Sequence, residues 1–411
     1  MLDVLAFVLL GVGMGTFTGL VPGIHVNNLT PMLAGLAVSS SLPPMHLAAA
    51  IVAMSTTHTF ISYIPATFLG APEQGTELSV LPAHRLLLEG RGYEAIRLTA
   101  LGCLSSLALS AALVWPLSFV AGEAYDMIRP FMHWLLIGVI AVMILLERSA
   151  AGMAWATAIF LLSGLLGLLT LDTNLFKGDA ALMPLLSGLF GTSVLLVSAS
   201  QKSSLPEQYI SGEPLELRSN VRPLCAGTAA GILTGLIPGI GPSQGTVLAQ
   251  LATRSSGTSE FLMAVSGVNT AKMLFSFVAL YAIGRPRSGA AVAVGELLKV
   301  GPSELIFLVG VALLAGGLSA IIHLKLGELA AMHMGKLPYR TMCLIVIASI
   351  IALTIYYTGL VGLPVLATAT AIGLLPAVTR VKRTHGMGVI MLPCILYFAG
   401  LKDTVLSALR L

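Results

Sequence analysis

Between Trp134 and Leu146, and again between Met342 and Tyr356, the chain carries no charged residue. Runs of this kind recur along its length and constrain the fold more than any other feature. A helix needs about 20 mostly apolar residues to cross a bilayer. The 411 residues are 56% hydrophobic and 10% charged, against about 25% charged in a soluble domain. A globule has too little interior to hide that much apolar surface. Within lipid every backbone polar group must be satisfied internally, which favours helices. The expected fold is therefore an all-α polytopic membrane protein, placed as a multi-pass protein of the cell membrane. The first 20 residues resemble a signal-peptide core, but they carry Asp3 instead of a basic start and no small-residue cleavage site follows. They read as a retained membrane helix.

Several function classes fall away. The net charge of +4 comes from basic residues in short loops, not from a stripe that could follow nucleic acid. Cys103, Cys225, Cys343 and Cys394 are isolated in apolar segments and read as small buried side chains, without zinc-like spacing. His46, His84, His133, His323, His333 and His385 fall near span ends and read as interfacial. No Ser/His/Asp spacing, H-E-x-x-H string or pair of intramembrane aspartates occurs, so catalysis is not expected.

Fourteen apolar segments are expected in the membrane. Seven lie at 4–20, 22–38, 45–64, 98–118, 131–146, 150–170 and 181–199. Seven more lie at 224–237, 240–252, 259–283, 303–323, 341–358, 363–379 and 387–405. The 240–252 piece is too short to cross by itself and reads as part of a re-entrant hairpin. Residues 1–199 and 224–411 form two membrane halves, joined by a polar cytoplasmic linker at 200–223.

The halves are related. Residues 15–24 read GTFTGLVPGI and residues 231–240 read GILTGLIPGI, with seven of ten positions identical at an offset of 216. A second block follows at an offset of 214, where Ala50, Thr56, Ser62, Gly70, Pro72, Gly75 and Val80 meet Ala264, Thr270, Ser276, Gly284, Pro286, Gly289 and Val294. Basic residues mark cytoplasmic loops. Arg85, Arg91 and Arg97 share that side with the linker, Arg148, Lys325, Lys336, Arg340, Arg380, Lys382 and Arg383. The first half then starts outside and the second inside, giving two inverted-topology repeats with discontinuous helices and re-entrant hairpins, the plan of many secondary transporters. Arg285, Arg287 and Lys299 fall on the outer side in this count, which leaves two readings: a buried or re-entrant segment, or a parity off by one.

Pro22-Gly23 and Pro238-Gly239 each interrupt an apolar segment. Proline removes a backbone donor and clashes with the preceding turn, and glycine admits unusual dihedrals. The freed backbone groups need partners at membrane depth, and in discontinuous helices these are often solute and ions. His25, Asn27 and Asn28 follow the first break; Gly241, Ser243 and Gln244 follow the second. Thr30 and Gly245 are candidates to sit beside a sodium ion. A second polar pair aligns Thr56 and His58 with Thr270 and Lys272, after Asn269. Ionisable groups inside apolar segments are costly and suggest function: Lys272 to neutralise an anion, His58 to carry a coupling proton. Glu73 reads as a loop carboxylate.

The paired G-x-x-P-G segments, the I-P-x-x-x-x-G-x-P stretch at 64–72 and the string Leu87-Leu88-Glu89-Gly90-Arg91-Gly92-Tyr93 resemble the large membrane subunit of tripartite tricarboxylate transporters, the TctA type. The string His25-Val26-Asn27-Asn28 departs from that pattern and suggests a divergent, archaeal branch. The resemblance implies ion-coupled uptake of citrate-like carboxylates, with sodium or a proton as coupling ion. It also implies a small membrane subunit and an extracytoplasmic binding protein. Carried over by position, the functional segments are Gly19–Thr30 and Gly235–Thr246. The expected function is a secondary active transporter of small carboxylates, working by alternating access; a homo-oligomer is compatible with it. The alternative is a translocase for a lipid phosphate of the polyprenyl type, and a membrane-embedded enzyme ranks below both.

Overall fold

The computed structural model describes the chain apart from residues 1, 22–25, 27–28, 31–32, 34–41, 71–74, 77, 148, 172, 174, 177, 201–205, 211–216, 239, 254–256, 335–338 and 409–411. The described residues are helical, with no strand among them. The first half contains α1 (Leu2–Leu20), α2 (Pro44–Ile61), α3 (Tyr63–Phe68), α4 (Val80–Leu88), α5 (Gly92–Ile128), α6 (Met132–Leu145) and α7 (Ala150–Leu171). It closes with α8 (Leu182–Leu186), a π-helical turn at Ser187–Thr192 and α9 (Ser193–Ser200). The second half contains α10 (Leu217–Leu236), α11 (Pro242–Thr253), α12 (Thr258–Ile283), α13 (Gly289–Leu297) and α14 (Pro302–Met334). Then come α15 (Tyr339–Thr358), α16 (Gly362–Thr379), α17 (Gly388–Phe398) and α18 (Lys402–Ala408).

Local chemistry sets many of these limits. Pro44, Pro242 and Pro302 are first helical residues, where a missing N–H costs nothing and φ is already helical. α12 stops at Gly284, whose φ of 67° is left-handed, the conformation that most readily ends a helix. Gly301 N–H donates to Glu304 Oε2 at 2.9 Å at the start of α14, and Gly241 N–H donates to Gln244 Oε1 at 2.9 Å at the start of α11. Both are capping contacts from the third helical residue back to the cap.

Seven helical stretches among the described residues are long and apolar enough to span a membrane, or eight if the pair Arg383–Phe398 and Lys402–Ala408, bent by 113°, is one span. The protein is a multi-pass membrane protein. The expected separation of 98–118 from 131–146 is reduced to one 3₁₀ turn at Arg129–Phe131. The 22–38 segment lies largely outside the described residues. Of the stretch read as a linker, the end from Leu217 is already helical.

The frame is built around two buried helices. In α2 with α3 the whole apolar window is buried, and in α12 89% of it is. Without a water-driven force between helices in lipid, close approach and van der Waals contact hold such helices together. Glycines supply the approach. A Cβ on Gly15 of α1 would strike the Met54 carbonyl and lie 2.6 Å from Thr57 Cβ; one on Gly19 would lie 2.7 Å from Ile61 Cβ. In the second half a Cβ on Gly231 of α10 would lie 2.5 Å from the Val268 carbonyl oxygen and 2.6 Å from Ala271 Cβ; one on Gly235 would lie 2.7 Å from Phe275 Cβ. Gly11 on Ala50 and Gly227 on Ala264 complete the two ladders. Every glycine pair keeps the offset of 216, and every partner pair the offset of 214. Thr18 donates to the Gly15 carbonyl as Thr234 does to that of Gly231, at 3.2 and 3.0 Å.

The halves also exchange partners. α5 of the first half lies along α12, with Gly102 against Ser266 and Met263. α14 of the second half lies along α2 and α5, with Gly316 against Leu107 of α5 and an added Cβ there 3.7 Å from Thr56 Cγ2 of α2. Gly102 and Gly316 again stand 214 residues apart. Ser106 donates to the Gly267 carbonyl and Ser319 to Thr57 Oγ1, both at 2.8 Å.

Two of the charged corners are tied to neighbours. Tyr209 N–H donates to the Gly90 carbonyl at 2.8 Å, and Gly92 N–H to Gln208 Oε1 at 2.9 Å. This joins the 84–97 loop to the 206–210 stretch. Glu147 Oε1 accepts from the Lys382 N–H at 3.1 Å and meets His385 Nε2 at 2.9 Å. His323 and His385, read as interfacial, are enclosed by neighbouring helices. They are 0% and 2% exposed, and His323 sits mid-helix against Thr99 Oγ1 and the Ile96 carbonyl. Of the cysteines read as buried, Cys103 and Cys343 are, while Cys225 is exposed.

Candidate functional site

The break in the second half is visible on the α10 side. The helix ends at Leu236, Ile237 N–H still reaches the Leu233 carbonyl at 2.9 Å, and α11 begins at Pro242. The last carbonyls of any helix lack intrahelical donors. One of them, Leu236, accepts from Arg287 Nε at 3.2 Å. In the first half α1 ends at the matching Leu20, while Pro22, Gly23, His25, Asn27 and Asn28 lie outside the described residues, as do Gly239 and Glu73.

Beside the visible break lies a cavity of about 530 Å³. Its wall includes Ser55, His58 and Thr59 of α2, and Asn269 and Lys272 of α12. Pro238 and Gly241 flank the break, and Pro286 to Ala290 form a third side. Two helices start at this wall: α11, just after Gly241, and α13, whose cap Ser288 accepts from the Ala291 N–H at 3.2 Å. Helix starts favour negative charge. Lys272 and Arg287 are the cations on the wall, and no Asp or Glu is among the described residues lining it.

Gly75 approaches from the first half. Its φ of 101° lies in the region glycine favours, and a Cβ there would overlap the Asn269 side-chain amide. Asn269 thus stands between the cavity and the Gly75 backbone.

Of the residues expected at a solute site, His58, Pro238, Gly241, Asn269 and Lys272 come together on this wall. Thr56, Thr270, Ser243 and Gln244 are fully or almost fully buried and absent from it. Thr56 Oγ1 returns to the Val52 carbonyl at 2.8 Å, and Thr270 Oγ1 meets Thr59 Oγ1 at 3.4 Å. Gln244 holds the start of α11 and reaches Met391 Sδ with Nε2 at 3.1 Å. Thr30 is buried. Gly245 packs where a Cβ would lie 2.8 Å from Thr234 Cγ2. His58 Nδ1 shares a hydrogen bond with Thr18 Oγ1 at 3.0 Å.

Arg287, Ser288, Thr59 and Thr234 line the cavity too and were not singled out from sequence as solute residues. The usable signal was the 214-residue repeat, which already paired Pro286 and Gly289 with Pro72 and Gly75. Arg287 has one further partner, the Tyr125 ring, whose centre lies 5.0 Å from its guanidinium carbon. Its Nη2 and the Oγ of Ser55 are buried without a hydrogen-bond partner among the described residues.

Comparison with known proteins agrees with this frame. The profile of the tripartite tricarboxylate transporter TctA family matches residues 5–388. An uncharacterized protein of Methanocaldococcus jannaschii is 29% identical over 407 residues, covering 96% of this chain and 98% of its own length. No solved structure matches. With the family profile spanning nearly the whole sequence, from α1 to the start of α17, the chain is a member of the tripartite tricarboxylate transporter TctA family.

Proposed function

We propose that the protein is a secondary active transporter that carries small carboxylates, tricarboxylate-like in class, through the cavity beside the Pro238 break. The carrying observation is the charge of that cavity: Lys272 and Arg287 on the wall, with no carboxylate among its described residues. A partly enclosed wall that carries cations favours an anion, because a lowered dielectric strengthens the attraction. The cavity volume falls within the range of small-molecule sites. Family membership supports a transport role.

In this reading the two glycine-laddered halves are inverted copies, and access alternates as one bundle moves against the other around the fixed cavity. A coupling ion, sodium or a proton, enters with the solute. A small membrane subunit and an extracytoplasmic binding protein complete the assembly, as the tripartite character of the family suggests.

The test is uptake of labelled citrate and succinate by proteoliposomes, with and without a sodium gradient and with and without a proton gradient. Replacing Pro22-Gly23 and Pro238-Gly239 by Ala-Leu should abolish uptake while the protein still reaches the membrane. Unchanged uptake after both replacements would remove the breaks from the mechanism. Stabilisation by polyprenyl phosphate and by no carboxylate would replace this reading with lipid-phosphate translocation.

A further inference from the structure

We propose that Arg287 is the specificity-determining anchor of the cavity and that it ties solute binding to the helix break of the second half. The inference rests on the carboxylate reading above and names the residue through which that site acts.

An arginine carries five N–H donors in a rigid planar fork. Arg287 spends Nε on the Leu236 carbonyl, the end of α10, and lies over the Tyr125 ring at the end of α5. These contacts fix the plane of the group. Its other end is unspent: Nη2 is buried and has no acceptor among the described residues. The side chain belongs to the cavity wall. A buried charged donor without an acceptor is costly, so the protein carries a donor that a ligand oxygen would satisfy.

Elsewhere on the wall another group is in the same condition. Ser55 of α2 lines the wall, and its Oγ is also buried without a partner. The two unsatisfied groups come from different halves. A solute carboxylate accepting from Arg287 Nη2, with a second oxygen on Ser55, joins α2 to the Leu236 end of α10 through one guanidinium. Binding then bridges the halves at the break, which is where alternating access must be felt.

Capping alone does not account for this arrangement. Neutralising a helix end takes one donor and one positive charge, which a lysine supplies. It leaves no reason for a second, unfilled donor on a cavity wall. Arginine with a donor left unpaired on its second edge suits planar recognition of a carboxylate.

The experiment is thermal stabilisation of the purified full-length protein by succinate and citrate, titrated in wild type, Arg287→Lys and Ser55→Ala. Arg287→Lys keeps the charge and loses the two-ended fork. It should weaken the apparent affinity roughly 10- to 100-fold, while Ser55→Ala weakens it by a few-fold, on the order of one neutral hydrogen bond. A lower baseline Tm in Arg287→Lys with unchanged solute affinity would reduce Arg287 to a cap and overturn the proposal. Should Arg287→Lys fail to fold, unchanged affinity in Ser55→Ala would overturn the bridge. A wild type stabilised by no carboxylate sinks the transport reading, and this inference with it. A wild-type response that Arg287→Lys retains sinks the inference alone.

Discussion

The two glycine ladders differ little, whereas the polar residues one turn away differ a great deal. Gly11, Gly15 and Gly19 press α1 onto α2 at the same register at which Gly227, Gly231 and Gly235 press α10 onto α12. Yet α2 reads Ser55-Thr56-Thr57-His58 where α12 reads Asn269-Thr270-Ala271-Lys272. At the next cavity position the second half has Arg287 where the first has Glu73. Close backbone contact leaves one choice of residue, so both copies keep glycine. A cavity wall tolerates many, so the copies diverged there. The frame is duplicated; the positive charge is concentrated in one copy.

The comparison can be broken most forcefully at the ladders. Gly15→Leu and Gly231→Leu each drive a side chain into a facing backbone, and overpacking of this kind costs about 1–3 kcal/mol or more. Both should strip the protein of its monodisperse peak in detergent chromatography. If the frame is equivalent in the halves, the two losses should be similar; a folded Gly231→Leu beside an unfolded Gly15→Leu would break the equivalence.

Charge is the next lever. Lys272→Met should reduce carboxylate uptake at least 10-fold, the scale of one charge-assisted hydrogen bond, with Tm little changed. His58→Met should cost less, since His58 meets Thr18 at 3.0 Å within its own half. Equal losses would mean that the two copies share the solute evenly.

Smaller still is the cap. Gln244→Ala removes the acceptor for the Gly241 N–H and should lower stability by about 1 kcal/mol, read as a Tm shift of a few degrees. Smallest of all is Gly13→Ala. No atom lies within 4 Å of a Cβ there, and the matching residue of the second half is already Ala229. The change should be neutral, or stabilise α1 by up to about 1 kcal/mol. A clear loss of Tm would show a contact on that face of α1.

Much of this was legible from residues alone. The apolar runs pointed to the membrane class, and the repeat pointed to the break after Leu236, to His58 and to Lys272. Arg287 was harder to place because loop counting treats every arginine as sitting in water, whereas the turn after Gly284 folds back along the cavity wall. Gln244 was read as a solute residue because a polar side chain after a break looks the same whether it faces a ligand or caps a helix. The choice depends on the Gly241 N–H, which only geometry supplies.

The exchange of partners between halves also governs how the protein can be made. α2 is buried from Leu47 onward, yet one of its flanks is covered by α14, which leaves the ribosome long after it. At 5–20 residues per second, that wait is on the order of tens of seconds. During this time the Ser/Thr-rich face of α2 stands uncovered in the lipid or in the care of an insertase. The first half synthesised by itself should therefore be short-lived, a target for membrane proteases. Two halves produced from separate genes should rescue each other only when made together.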